Sequence, residues 1–367
     1  MTDPRTANLA RILVEHSTQV AEGEVVGIGG PAVAEPLLLA VYEQVLAAGA
    51  HPILNATLDG QEASFFGAAT DAQLDWVDPT AKWTMDNADC VIRILAETNT
   101  RSLSRIDPSR QIRRAKAMAE VRQRMLERAA EGDLRWALTI FPTHAYASEA
   151  AMSLADYEDF YYAACLADRD DPVSAWKETS KETIRLRDWI EGREEVHIKG
   201  PGTDLTLSIA DRHFIAATGT HNMPDGEFFT GPVEDSAEGE VTFHLPTSYT
   251  GREVAGVRLK FSGGKVVDAS AERNEEFLIS TLDTDPGARF LGELGIGTNF
   301  GIVEGTKQIL LDEKIGGTIH LAVGTSYPET GGTNTSAVHW DMICDLRRGG
   351  TVEVDGEMLQ KDGAFVV

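Results

Sequence analysis

Five residues in the last third of the chain have side chains that commonly bind divalent metals. They are Glu227, Glu293, His320, His339 and Asp341. All five stand in stretches otherwise made of Gly, Thr, Pro and aliphatic residues. A carboxylate buried in such surroundings must be paired, neutralised or bound to a cation. One such residue alone is more often a solvated acid or a core histidine, but five together favour a metal site.

His339 and Asp341 form the tightest part of this set. Residues 336–343 have the composition of a strand, and residues two apart on a strand point to the same face. We therefore predict that this imidazole and this carboxylate share one face. The residues expected to pack behind them are Val338, Trp340 and Met342.

The three carboxylates of the set suit two divalent ions better than one. With one hydroxide they offset two divalent cations and leave a near-neutral cluster that can lie in a low-dielectric cleft. Mixed histidine and carboxylate ligands are typical of zinc, cobalt, manganese or magnesium sites. Two such ions generate hydroxide near neutral pH and also polarise a carbonyl, so hydrolysis of an amide is the predicted chemistry.

Other motifs carry less weight. Residues 27–32 loosely fit a dinucleotide-binding fingerprint, but the first acidic residue after the next strand, Asp59, comes too late, which favours a tight structural turn. The chain has no Gly-x-Ser-x-Gly motif, and Cys165 has no activating context, so a serine or cysteine nucleophile is disfavoured. His221 precedes the turn before Glu227 and could line the site.

Composition narrows the class of protein. The 367 residues include 33 basic and 58 acidic ones, a formal net charge of −25 that repels nucleic acid and anionic membranes. We expect neither partner. The polar start, residues 1–5, has no apolar secretory segment and no run is long enough to span a bilayer, which predicts a cytoplasmic protein. Three widely spaced cysteines predict reduced, buried thiols.

Hydrophobic patterning predicts an N-terminal α/β domain over residues 1–190. A short strand at 24–28, an amphipathic helix at 35–48 and a strand at 52–58 form a β-α-β unit. Apolar runs at 90–95 and 136–141 extend the alternation, which indicates a parallel, doubly wound sheet.

From about Glu195 the pattern changes to short strands separated by Gly-rich turns. This predicts a β-rich α+β domain over residues 191–367, and all five candidate ligands fall in it. We therefore expect the C-terminal domain to be the metal-binding catalytic domain.

At this point the sequence resembles the dinuclear metalloaminopeptidases typified by aminopeptidase T and aminopeptidase S. The resemblance covers most of the chain, and its most specific segments are Thr203–Leu207, Asn222–Pro232, Gly287–Glu293 and Ile319–Met342. It implies that the five candidates are the metal ligands, that Tyr327 is a catalytic residue and that the chain forms a homodimer. The Tyr327 phenol would donate a hydrogen bond to the developing oxyanion, and Glu293 would shuttle the proton of the water.

The implied activity is removal of N-terminal residues, including leucine, from short peptides. The segment between Tyr327 and His339 is shorter than in the longer members of the family, which bears on the width of the substrate entrance. Two other functions stay open. His320, His339 and Asp341 could hold one ferrous ion, as in ring-cleaving dioxygenases of dihydroxypyridine, but that site needs neither Glu227 nor Glu293. A non-catalytic metal- or peptide-binding protein is the third possibility.

Overall fold

The computed structural model describes residues 3–367, so Met1 and Thr2, part of the polar start considered above, lie outside the described residues. The helices are α1 (Pro4–Arg11), α2 (Glu35–Ala47), α3 (Gln61–Ala68), α4 (Asp71–Asp75), α5 (Pro79–Asn87), α6 (Pro108–Ala117), α7 (Ala119–Glu131), α8 (His144–Glu149), α9 (Leu154–Ala164), α10 (Pro172–Ile190), α11 (Glu275–Leu282) and α12 (Ile309–Asp312). No helix in this part of the chain is both long and apolar enough to cross a bilayer.

The strands fall into four sheets. They are β1 (Val25–Pro31), β2 (His51–Thr57), β3 (Cys90–Leu95), β4 (Arg135–Ile140), β5 (Glu195–Gly200), β6 (Thr203–Ser208), β7 (Ile215–Ala217), β8 (Asn222–Met223), β9 (Glu227–Thr230), β10 (Glu238–Thr242), β11 (Thr247–Tyr249), β12 (Arg252–Val254), β13 (Arg258–Ser262), β14 (Lys265–Ser270), β15 (Leu291–Gly297), β16 (Thr318–Gly324), β17 (His339–Asp345), β18 (Thr351–Val354), β19 (Glu357–Lys361) and β20 (Ala364–Phe365).

One compact unit contains the described residues up to Lys177 together with Gly219–Pro224. Its sheet is parallel, with the strand order β2-β1-β3-β4-β8. β2 and β3 pair with opposite edges of β1. Because parallel connections are right-handed, the helices that connect these strands lie on opposite faces of the sheet. The predicted doubly wound α/β sheet is confirmed.

The glycine-rich segment after residue 26 differs from the sequence prediction. The predicted strand ends at Ile28 and the following glycines form a tight turn, whereas β1 continues to Pro31. A Cβ atom on Gly30 would lie 2.9 Å from the carbonyl oxygen of Ile94 on the neighbouring strand β3. Glycine is therefore needed here for close packing of two strands.

The other compact unit contains Glu178–Thr218 and Asp225–Val367. It has an eight-stranded antiparallel sheet in the order β14-β13-β10-β6-β5-β18-β19-β20 and a five-stranded antiparallel sheet in the order β17-β16-β15-β9-β7. The predicted β-rich character of this half of the chain is confirmed. The division between the units falls inside α10, whereas the sequence places the domain boundary where that helix ends.

The core of the second unit joins side chains from both large sheets. Val241 and Leu259 of the eight-stranded sheet belong to the same buried cluster as Leu294 and Leu321 of the five-stranded sheet. β15 and β16 are buried along their whole length, on both faces. Because side chains alternate along a strand, the face of these two strands that does not serve the apolar core must bury other groups.

Candidate metal centre

The five candidate ligands lie on one face of the five-stranded sheet. Glu227 begins β9, Glu293 lies on β15, His320 on β16, and His339 and Asp341 on β17. These four strands are consecutive neighbours, so side chains on one face meet across them. The structure therefore brings together all five residues selected from the sequence.

The five side chains form two groups that share one carboxylate. His320 Nε2 lies 3.3 Å from Glu293 Oε1 and 3.4 Å from Glu227 Oε2. His339 Nε2 lies 3.3 Å from Glu293 Oε2 and 3.5 Å from Asp341 Oδ2. Within each group of three, the potential ligand atoms lie within 4.8 Å of one another. Glu293 directs one oxygen to each group.

Both imidazoles are oriented by backbone carbonyls. His320 Nδ1 lies 3.0 Å from the carbonyl oxygen of Glu313, and His339 Nδ1 lies 2.9 Å from that of Thr325. A carbonyl only accepts, so each Nδ1 donates its hydrogen and each Nε2 faces the carboxylates. Metal-binding histidines are commonly oriented in this way, since the outer hydrogen bond fixes the ring and its tautomer.

Protons bind the imidazoles tightly in the metal-free cluster. Burial opposes the charge on His320, but Glu227 and Glu293 outweigh it and raise the pKa of His320 to about 10. Burial is likewise outweighed at His339, where Glu293 and Asp341 raise the pKa to about 9. Burial also opposes ionisation of Glu293, but the hydrogen bonds from both histidines hold its pKa well below the usual range. The proton on each Nε2 thus lies between two carboxylates, in a position where a cation would also be stabilised.

Two buried carboxylate oxygens of the cluster have no hydrogen-bond donor. They are Glu227 Oε2 and Asp341 Oδ1. Burial raises the pKa of Asp341 to about 6, and the charge of Glu293 adds to this. Such oxygens are costly unless something positive binds them. The donor set of two imidazoles and three carboxylates fits divalent metal ions.

Tyr327 follows β16 and lies at the edge of the cluster. The centroid of its ring is 5.3 Å from that of His339 and 5.4 Å from that of Phe229. The side chain is 40% exposed, so its hydroxyl is accessible to a bound molecule. Burial of the rest of the ring, together with the charges of Glu293 and Asp341, raises the pKa of Tyr327 well above its usual value. The phenol therefore remains a hydrogen-bond donor at neutral pH.

The short segment between Tyr327 and His339 is firmly held. Glu234 accepts hydrogen bonds from the backbone N–H and the hydroxyl of Thr333, at 2.6 and 2.8 Å. Asp285 accepts from the hydroxyl of Ser336 at 3.0 Å and from the backbone N–H of Ala337 at 2.8 Å. Glu234 and Asp285 therefore hold this loop in place.

Two residues that support the cluster were missed from the sequence. Lys314 is fully buried, and its Nζ lies 2.6 Å from Glu227 Oε1. Gly295 lies opposite His320 across β15 and β16. The only sequence signal for the lysine is a cation beside an apolar segment, and a glycine in a strand carries no ligand signal at all. His221, by contrast, packs against Trp136 in the first unit, with ring centroids 4.6 Å apart and ring planes tilted by 58°.

Replacing Gly295 by alanine is expected to displace His320. The added Cβ would lie 2.0 Å from Cε1 and 2.1 Å from Nε2 of the imidazole, so the ring must leave its position. We expect the variant to fold but to bind less metal, which elemental analysis after dialysis measures. Gly67→Ala is the matched control because a Cβ there meets nothing within 4 Å. Unchanged metal content in Gly295→Ala would contradict the placement of His320.

Comparison with known proteins assigns the family. The family described as "Thermophilic metalloprotease (M29)" matches residues 2–365 of the chain. The chain belongs to this family. This M29 chain is 32% identical over 263 residues to aminopeptidase 2 of Geobacillus stearothermophilus, an alignment that covers 62% of each protein. It is 29% identical over 297 residues to aminopeptidase T of Thermus thermophilus, covering 72% of each.

Two solved structures share the fold of this M29 chain. AmpT from Thermus thermophilus superposes with a TM-score of 0.85 at 24% identity and covers 99% of both chains. A 2,5-dihydroxypyridine dioxygenase from Pseudomonas putida KT2440 superposes with a TM-score of 0.58 at 14% identity, covering 99% of this chain and 97% of that one. The predicted family and fold are confirmed. The predicted enzyme, a metal-dependent aminopeptidase, agrees with the family and with the names of these aminopeptidase relatives.

Proposed function

We propose that this M29 chain is a metal-dependent aminopeptidase that removes N-terminal residues from short peptides and holds two divalent ions. Glu227, Glu293 and His320 would hold one ion, and Glu293, His339 and Asp341 the other. The observation that carries the proposal is the position of Glu293, whose two oxygens face two different imidazoles at 3.3 Å each. A carboxylate shared in this way suits a pair of adjacent ions rather than one.

Two ions held by such a cluster supply a hydroxide near neutral pH and polarise the peptide carbonyl. The role of the chain itself is to hold these ions and to position the peptide carbonyl beside them. Glu293 would contribute an oxygen to each group of ligands, and the proton-shuttle role that the resemblance implies for it stays a prediction. Tyr327 would donate its hydroxyl hydrogen to the oxygen of the attacked carbonyl.

The dioxygenase alternative accounts for less of the cluster. A mononuclear iron site of two histidines and one aspartate would leave Glu227 and Glu293 without a role. Yet His320 Nε2 lies within 3.4 Å of both these carboxylates. The likeness to the dihydroxypyridine dioxygenase is a likeness of fold, and the composition of the cluster favours the peptidase.

Removal of metal is expected to abolish peptidase activity. Elemental analysis should find about two divalent ions per chain, and a chelator should stop hydrolysis of leucine p-nitroanilide. Adding back zinc, cobalt or manganese in turn should restore activity and would identify the preferred ion. One iron per chain with no peptide cleavage would contradict the proposal and favour the dioxygenase. Metal binding without cleavage of any peptide would favour a binding protein.

Substrate range and assembly follow from the resemblance and stay predictions. We propose broad tolerance of the first residue, including leucine, since the family resemblance implies it. The homodimer is proposed on the same footing, and the cytoplasmic location stays the prediction made from composition. Sedimentation of the purified protein tests the homodimer directly.

A further inference from the structure

Lys314 places a permanent positive charge beside the metal cluster. It follows α12, and its side chain is 0% exposed. The ammonium lies 2.6 Å from Glu227 Oε1, 2.5 Å from Glu313 Oε1 and 3.7 Å from Asp225 Oδ1. A fully buried ammonium is tolerated only when it is paired. Lys314 is too deeply buried to contact a substrate, so its effect must act through its neighbours.

The two oxygens of Glu227 have different environments. Oε1 accepts the hydrogen bond from Lys314. Oε2 is buried, has no hydrogen-bond donor and lies 3.4 Å from His320 Nε2. A free carboxylate can bind a cation through one oxygen or through both. The lysine engages one oxygen and turns the other toward the cluster.

We propose that Lys314 is a positioning residue that restricts Glu227 to binding metal through a single oxygen. The inference rests on the proposed function, since it assumes that Glu227 is a ligand. It goes beyond that function because it assigns a role to a residue that neither binds metal nor contacts substrate. The lysine also pairs with Glu227 and Glu313 in the absence of ions.

Three substitutions separate the contributions of charge and hydrogen bond. Lys314→Met removes both and preserves much of the side-chain volume, so Glu227 becomes able to use both oxygens. Lys314→Gln removes the charge but keeps a donor for Oε1. Lys307→Met is the matched control, because Lys307 pairs with Glu253 at 2.9 Å in the same unit and its side chain is 35% exposed.

The test is the visible absorption spectrum of the cobalt-loaded proteins. Cobalt absorbs less strongly as its coordination number rises. We expect a weaker, shifted spectrum for Lys314→Met, a spectrum closer to wild type for Lys314→Gln, and no change for Lys307→Met. We also expect the metal-free Lys314→Met protein to melt roughly 10 °C below wild type, since a buried carboxylate loses its partner, and cobalt to recover much of this difference.

Each outcome separates the inference from the proposed function. An unchanged cobalt spectrum in Lys314→Met would overturn the positioning role, even if the wild-type protein binds two ions and cleaves peptides. Wild-type protein that binds no cobalt would overturn the metal centre itself. If Lys314→Met does not fold, Lys314→Leu, which also removes both the charge and the donor, replaces it: a weaker, shifted cobalt spectrum supports the positioning role, and a spectrum like that of wild type overturns it.

Discussion

Replacing Glu293 by glutamine is expected to reduce peptidase activity by about 10³-fold or more and to release metal from both positions. Glu293 is 4% exposed and is the carboxylate common to both ligand groups. An amide lacks the charge, and its NH2 group would face an imidazole or a cation. Loss of several kcal/mol of charge stabilisation corresponds to about three orders of magnitude in rate.

The measurement for Glu293→Gln combines metal analysis with hydrolysis of leucine p-nitroanilide. Glu276→Gln is the matched control, because Glu276 is an exposed acid on α11 in the same unit. Retention of two ions per chain by Glu293→Gln would show that this carboxylate does not bridge the ions. Loss of one ion alone would show that it belongs to a single position.

Replacing Tyr327 by phenylalanine is expected to lower kcat by about 10²–10³-fold while metal content stays unchanged. The change removes one oxygen and keeps the ring that packs between Phe229 and His339. KM should change little, because the hydrogen bond forms with the developing oxyanion rather than with the bound peptide. Steady-state kinetics with metal-loaded protein gives both parameters.

The raised pKa of Tyr327 adds a pH dependence to this prediction. The phenol is the proton donor, and a pKa above the ordinary value of about 10 keeps it protonated across the neutral and mildly alkaline range. In the metal-free protein, ultraviolet titration of wild type against Tyr327→Phe should therefore show no phenolate from this group near pH 10, whereas bound cations would offset the carboxylate charges that help to raise this pKa. Tyr42→Phe, on α2, serves as the control. Full activity of Tyr327→Phe would rule out the oxyanion role.

The fold was largely predictable because its longer elements have strong hydrophobic periodicity. α2 and the first four strands of the parallel sheet lie where the apolar residues recur at helical or strand spacing. β8 was not predictable, since a two-residue strand such as Asn222–Met223 has no periodicity of its own. Its place beside β4 depends on tertiary pairing.

The types of the ligands were predictable and their grouping was not. A glutamate or histidine among apolar residues and glycines is unusual enough to stand out in the sequence. Which carboxylate meets which imidazole depends on strand register, such as the pairing of Gly295 with His320. Lys314 was missed because a lysine beside two acids is usually solvated, and only the tertiary structure shows that its ammonium is buried.

The ligands of the cluster lie on four strands, so a newly made chain has the complete site only after these strands have paired. The ligand group of Glu293, His339 and Asp341 is incomplete until β17 has paired with β16, and these two strands are far along the sequence from β9. We therefore expect ions to bind after these strands have paired rather than to guide the early steps of folding. Once bound, they would link strands that pair late, and interactions that form late slow unfolding rather than accelerate folding. Metal loading is thus expected to extend the lifetime of the folded enzyme.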